Sequence, residues 1–194
     1  MTEPWHPHPY GDDGLSINDP FEMSMYDGTM INPFTITPEQ VNIKHIARGL
    51  SRIIRYNGQI EGVYTVAEHS VRVAGHIHVY GGRSTTLQVT LWMQGLLHDA
   101  AEYVLSDIIR PMKRRPEFAF FREVDDYVTA VVMRRFELPE KLHELVHEAD
   151  NAVLHQELAA RHRGECPGRW TADEAEREFL ALFNTISRLR GMRT

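Results

Sequence analysis

The sequence predicts an all-α fold, and three observations carry that prediction. Apolar residues recur at spacings of three and four in successive stretches from Ile43 onward. Several of those stretches open on a helix-capping residue. No stretch sustains the apolar/polar alternation of a half-buried strand, and no internal repeat is present. With 194 residues, 42% of them hydrophobic, the chain suits one core, and its composition divides it into an irregular N-terminal arm over 1–36 and a helical domain over 37–194.

The arm mixes Pro, Gly, Asp and scattered aromatics without period; His6 and His8 read as polar residues of an exposed segment. Ile43, Ile46, Ala47, Leu50, Ile53 and Ile54 mark a first helix that starts behind Asn42 as cap and ends near Arg55. "TVAE" at Thr65 to Glu68 has the spacing of a capping box, and Val66, Val73 and Ile77 follow on one face of a second helix reaching about His78. A third, apolar nearly all round, is expected from Ser84 to Leu105 and therefore central. After a loop bounded by Pro111 and Pro116, the pattern predicts a fourth helix over Glu117 to Glu137. A fifth runs from Pro139 to about Arg161, with Leu142, Leu145, Val146, Ala149 and Val153 inward. The last is capped by Thr171, with Glu174 completing the box. Together these make a bundle of about six main helices.

A net charge of −6 argues against a protein that grips a nucleic acid polymer by neutralising phosphates. The lone cysteine, Cys166, has no internal disulfide partner. The N-terminus lacks a basic, apolar leader, and no run approaches the roughly 18 apolar residues that cross a bilayer. A cytoplasmic protein without membrane contact is expected.

The chemistry concentrates in "LLHDAAEYVLSD", Leu96 to Asp107, where four ionisable groups interrupt an apolar helical pattern. In a helix His98 and Glu102 share a face, with Asp99 about 100° round it. Buried charge is costly unless it is paired or bound to a metal, so a divalent cation would resolve the conflict. Two further candidates stand in well-packed helices: His69 in "VAEHSVRVA", and Asp150 in "LVHEADNAVL", on the face of Val146. His69, His98, Asp99 and Asp150 form a mixed nitrogen and oxygen set suited to Mn, Fe, Co, Ni or Zn, and to Mg at lower affinity.

This order of His69, then "HD" at His98 and Asp99, then Asp150 resembles the signature of the HD-domain metal-dependent phosphohydrolases. "VAEHS", "LLHDAAEYVLSDIIRPMK" and "VHEAD" resemble more closely the bacterial 5'-deoxynucleotidase branch, with its phage relatives that hydrolyse dATP. The likeness spans about Ile43 to Leu158. It implies an HD-domain helical bundle, the four metal ligands just named, and Glu102 as the group that orients or deprotonates the attacking water. It also implies Asp107 as a second catalytic carboxylate near the leaving oxygen, and phosphate contacts from Arg55 and Lys113. Members are often dimers, so a homodimer or higher homo-oligomer is expected, with Phe21, Met23, Met25 and Tyr26 of the arm available to cover a neighbour.

Two positions depart from the branch. Tyr56 stands where tryptophan is frequent beside sugar or base, and His147 stands where lysine is frequent. Both bear on substrate binding, and the second tilts the expectation from triphosphate toward monophosphate. The expected activity is thus metal-assisted hydrolysis of deoxynucleoside 5'-monophosphates. The alternatives are a deoxynucleoside triphosphohydrolase releasing nucleoside and triphosphate, a catalytically silent nucleotide-binding or regulatory module, and a helical module with a buried polar network.

Overall fold

Residues 21–80 and 86–191 are described in the computed structural model, so His6 and His8, and the expected helix start at Ser84, lie outside the described residues. In the arm, β1 (Met23–Ser24) and β2 (Met30–Ile31) pair antiparallel through a turn in which Gly28 takes a φ of 84° that suits glycine. Met25 and Phe34 pack on the core, while Tyr26 stays exposed.

Helix α1 (Ile43–Leu50) begins where the side chain of Asn42 accepts the Lys44 amide. It ends five residues before the expected Arg55. The chain turns at Ser51 and Arg52 so that Ile54 can bridge antiparallel to Thr65, and Arg55 then opens a short 3-10 turn, Arg55–Gly58. Tyr56 and Asn57 are left-handed there (φ 60° and 51°), a conformation no helix accommodates.

Helix α2 (Val66–Tyr80) starts at Thr65, whose hydroxyl accepts the Glu68 amide. The Glu68 carboxylate does not close the box. It accepts the amides of Arg169 and Trp170 instead, tying the start of α2 to the loop before the last helix.

The expected third helix is two. Helix α3 (Thr86–Leu97) is central and nearly wholly buried, but His98 to Ala101 form turns with i to i−3 hydrogen bonds before α4 (Glu102–Leu105). The apolar pattern is continuous across this break, so periodicity alone does not reveal it. Ser106 follows with φ 67° and ψ 162°.

In the expected proline loop, α5 (Arg110–Lys113) carries Pro111 in its first turn, where a missing N–H costs nothing. Helix α6 (Ala119–Arg135) is shorter at both ends than expected, and α7 (Glu144–His162) starts at its cap His143 rather than at Pro139. Leu145, expected inward, is 45% exposed because it lies in the first turn of α7, off the face of Val146, Ala149 and Val153. Helix α8 (Ala172–Leu189) has the full capping box of Thr171 and Glu174.

Helix α2 packs on α3, α7 and α8, and α1 packs on α4 and α8. Leu50, Val73, Met93, Leu97, Val132, Val146, Phe179 and Ile186 meet in one core. Burial of each such large side chain contributes roughly 1.5–3 kcal/mol. No described helix is long and apolar enough to cross a membrane.

Candidate metal centre

Four segments converge beside this core: the 3-10 turn after α1, the first turn of α2, the turns joining α3 to α4, and the middle of α7. His69, from α2, is fully buried; its Nε2 lies 3.1 Å from Asp150 Oδ1 and 3.7 Å from Asp99 Oδ2. His98 Nε2 lies 3.2 Å from Asp99 Oδ2 and 3.9 Å from Asp150 Oδ1. One ligand atom from each of His69, His98 and Asp150 falls within 4.8 Å of the other two.

The donor set fits a divalent cation. His98 Nδ1 donates to the Gly95 carbonyl at 2.9 Å, which turns the buried Nε2 toward Asp99 and Asp150. His69 Nδ1 lies 2.7 Å from Glu157 Oε1, which turns Nε2 toward Asp150 and Asp99. Burial opposes charge on His98, but Asp99 and Asp150 outweigh it and raise its pKa to about 9: the two carboxylates favour positive charge at this point. Burial raises the Asp150 pKa, yet the hydrogen bond from His69 and the charge of His98 prevail and lower it.

Around the cluster runs a two-lobed cleft. One lobe, a cavity of about 620 Å³, is walled by Arg55, Tyr56, Asp107, Arg110, Leu154 and Leu158, among others; the second, of about 560 Å³, includes His98, Asp125, Asp126, Glu140 and His147. Asp99, Glu102 and Lys113 line both. Arg55 keeps 12% of its side chain exposed and is ion-paired with Asp99 at 3.6 Å and Glu157 at 3.3 Å. Lys113 Nζ sits 3.3 Å from Glu102 Oε1 and 3.6 Å from Asp125 Oδ2. Arg110 donates to Asp150 Oδ2 at 2.9 Å.

Burial, then the charges of Asp99 and Asp107, push the Glu102 carboxyl up to about 9, and its Oε2 is buried without a hydrogen bond. Asp107 is also raised by burial. His147 is exposed on the far wall of the second lobe.

Over 157 residues the chain is 34% identical to the uncharacterized protein RCAP_rcc00048 of Rhodobacter capsulatus, a match covering 80% of this chain and 77% of the relative. The chain belongs to the family of RCAP_rcc00048. It is also 28% identical over 120 residues to the uncharacterized protein YfdR of Escherichia coli K12, across 61% of this chain and 60% of YfdR. No family model matches the sequence.

In this member of the RCAP_rcc00048 family, the structure brings His69, His98, Asp99 and Asp150 to one point, with Arg55, Tyr56, Glu102, Asp107 and Lys113 around the shared cleft. His98 and Glu102 converge through the turns between α3 and α4, not along one helix face. Sequence reasoning missed Glu157, Arg110 and Asp125. Glu157 alone had a signal, since it follows Asp150 by seven residues and so returns to the same side of α7.

Proposed function

We propose that this protein is a metal-dependent phosphohydrolase of 5'-deoxyribonucleotides, acting chiefly on deoxynucleoside 5'-monophosphates. The observation that carries the reading is a buried His/His/Asp cluster at the meeting point of two lobes that also present carboxyl groups and cations. The likeness to HD phosphohydrolases supports it. A divalent ion, when bound, supplies Lewis-acid polarisation of a phosphoryl oxygen and eases deprotonation of water.

The chain's own residues do the rest. His69, His98, Asp99 and Asp150 hold the ion. Arg55 and Lys113 neutralise phosphate oxygens, Arg55 already desolvated and held by two acids. Glu102 Oε2 accepts the proton of the attacking water, because compensation of the Asp99 charge in the loaded site removes one of the forces that keep this carboxyl protonated. As the new P–O bond forms and the bond to the 5'-oxygen breaks, Asp107, whose burial favours the protonated form, supplies a proton to the departing oxygen. Tyr56, Leu154 and Leu158 give the nucleoside an apolar wall.

Monophosphate is favoured over triphosphate because the second lobe carries Asp125, Asp126 and Glu140, and its Lys113 is already paired with two acids. Such a wall repels a polyphosphate tail. The test is a panel of deoxy- and ribonucleoside mono- and triphosphates with Co, Mn and Mg, read by product analysis. Inorganic phosphate from the deoxy-monophosphates is expected. Triphosphate release would shift the assignment to a triphosphohydrolase, and inactivity of the metal-loaded protein across the panel would reject the enzyme.

A further inference from the structure

Glu157 is 1% exposed, and four donors surround its carboxyl, one of them the Arg55 guanidinium. Oε1 receives His69 Nδ1 and the Tyr64 hydroxyl; Oε2 receives the Tyr56 hydroxyl and Arg55 Nη2. A carboxylate paired with a guanidinium accepts, so each of these four partners donates to it. The consequence for His69 is a proton fixed on Nδ1 and a ring turned so that Nε2 faces Asp99 and Asp150, the nitrogen that would give its lone pair to an ion bound there. For the turn after α1, the consequence is an anchor: Tyr56 is left-handed, a conformation that costs a non-glycine residue of this size, and its hydroxyl and the adjacent Arg55 are both tied to the same oxygen.

We infer that Glu157 is a positioning residue that couples the metal centre to the substrate-facing turn, one oxygen orienting His69 toward the ion and the other holding Arg55 and Tyr56 toward the cleft. The substrate half of this inference rests on the proposed function; the metal half rests on geometry alone. Binding of the ion and order of the phosphate-binding turn then depend on one side chain that touches neither ion nor substrate.

The test compares full-length wild type, Glu157→Gln and Tyr56→Phe by Mn2+ titration followed by electron paramagnetic resonance, by melting of the metal-free proteins, and by KM and kcat on deoxynucleoside monophosphates. Glutamine keeps the shape but loses the charge and one acceptor. E157Q should weaken Mn2+ binding about 10–100-fold, the usual effect of removing a carboxylate behind a ligating histidine. Y56F should raise KM while leaving Mn2+ affinity unchanged. A purely structural Glu157 would move the melting temperature and not the Mn2+ affinity. Should E157Q not fold, nitrogen-15 NMR of the zinc-loaded wild type decides: the proton of His69 belongs on Nδ1, and finding it on Nε2 overturns the inference. Wild-type protein that binds no Mn2+ overturns both the coupling and the proposed function. Equal Mn2+ affinity in wild type and folded E157Q overturns the coupling alone.

Discussion

Glu102 sits where burial and two neighbouring acids push its carboxyl up to about 9 while Lys113, 3.3 Å away, pulls the other way. A group balanced between opposing forces changes protonation when a neighbouring charge changes, which is what a general base beside a cation requires. Glu102→Gln should therefore lower kcat about 10²–10⁴-fold, with Mn2+ affinity preserved because Glu102 is outside the ligand cluster. This residue, like His98 and Asp99, was legible in the sequence: an ionisable group in an apolar run stands out. Glu157 was not. In "HQELAARHR" it looks like one more acid on a solvated helix side, and only the folded chain shows it 1% exposed with four donors around it. Arg110 and Asp125 were hidden for the same reason, since charged residues near a loop or on an amphipathic helix read as surface.

At the scale of elements, caps and apolar periodicity located every main helix of the described residues, because both are local properties. Asn42, Thr65 and Thr171 all cap where the sequence places them. Helix interruptions were not legible, since they answer to contacts far along the chain. Helix α1 stops so that Ile54 can reach Thr65, and the break after Leu97 lies inside an unbroken apolar pattern. Close packing then holds α4, with Glu102, in place. A Cβ on Gly49 would come within 2.9 Å of Tyr103 Cβ and 3.1 Å of its Cα. Gly49→Ala should thus push α1 from α4 and cost about 1–3 kcal/mol, measured by urea unfolding. The arm is attached to α1 by a different device: Asp27 Oδ2 lies 2.8 Å from His45 Nε2, and this hydrogen bond, aided by Thr29, lowers the Asp27 pKa from 3.8 to about 2. A carboxyl with a depressed folded pKa contributes stability that is complete above its ordinary value and is lost as the pH falls through the folded one. Asp27→Asn should accordingly flatten the stability profile between pH 3.8 and about 2, read by urea unfolding across that range.

At the scale of the molecule, one core formed around α2 and α3 lets segments distant in sequence, at His69, His98 and Asp150, deliver their side chains to one point. An ion held by this cluster binds the folded chain and not the unfolded one, so it should stabilise the fold. Mn2+ at a hundredfold excess over its Kd should add about 2.7 kcal/mol to the unfolding free energy, and chelator should remove it. His69→Ala should abolish that increment. The most direct measurement is anomalous diffraction from a crystal soaked in manganese. The account predicts a peak bounded by His69 Nε2, His98 Nε2 and the carboxylates of Asp99 and Asp150; a fully soaked crystal with no peak there, or with these side chains turned apart, would contradict it.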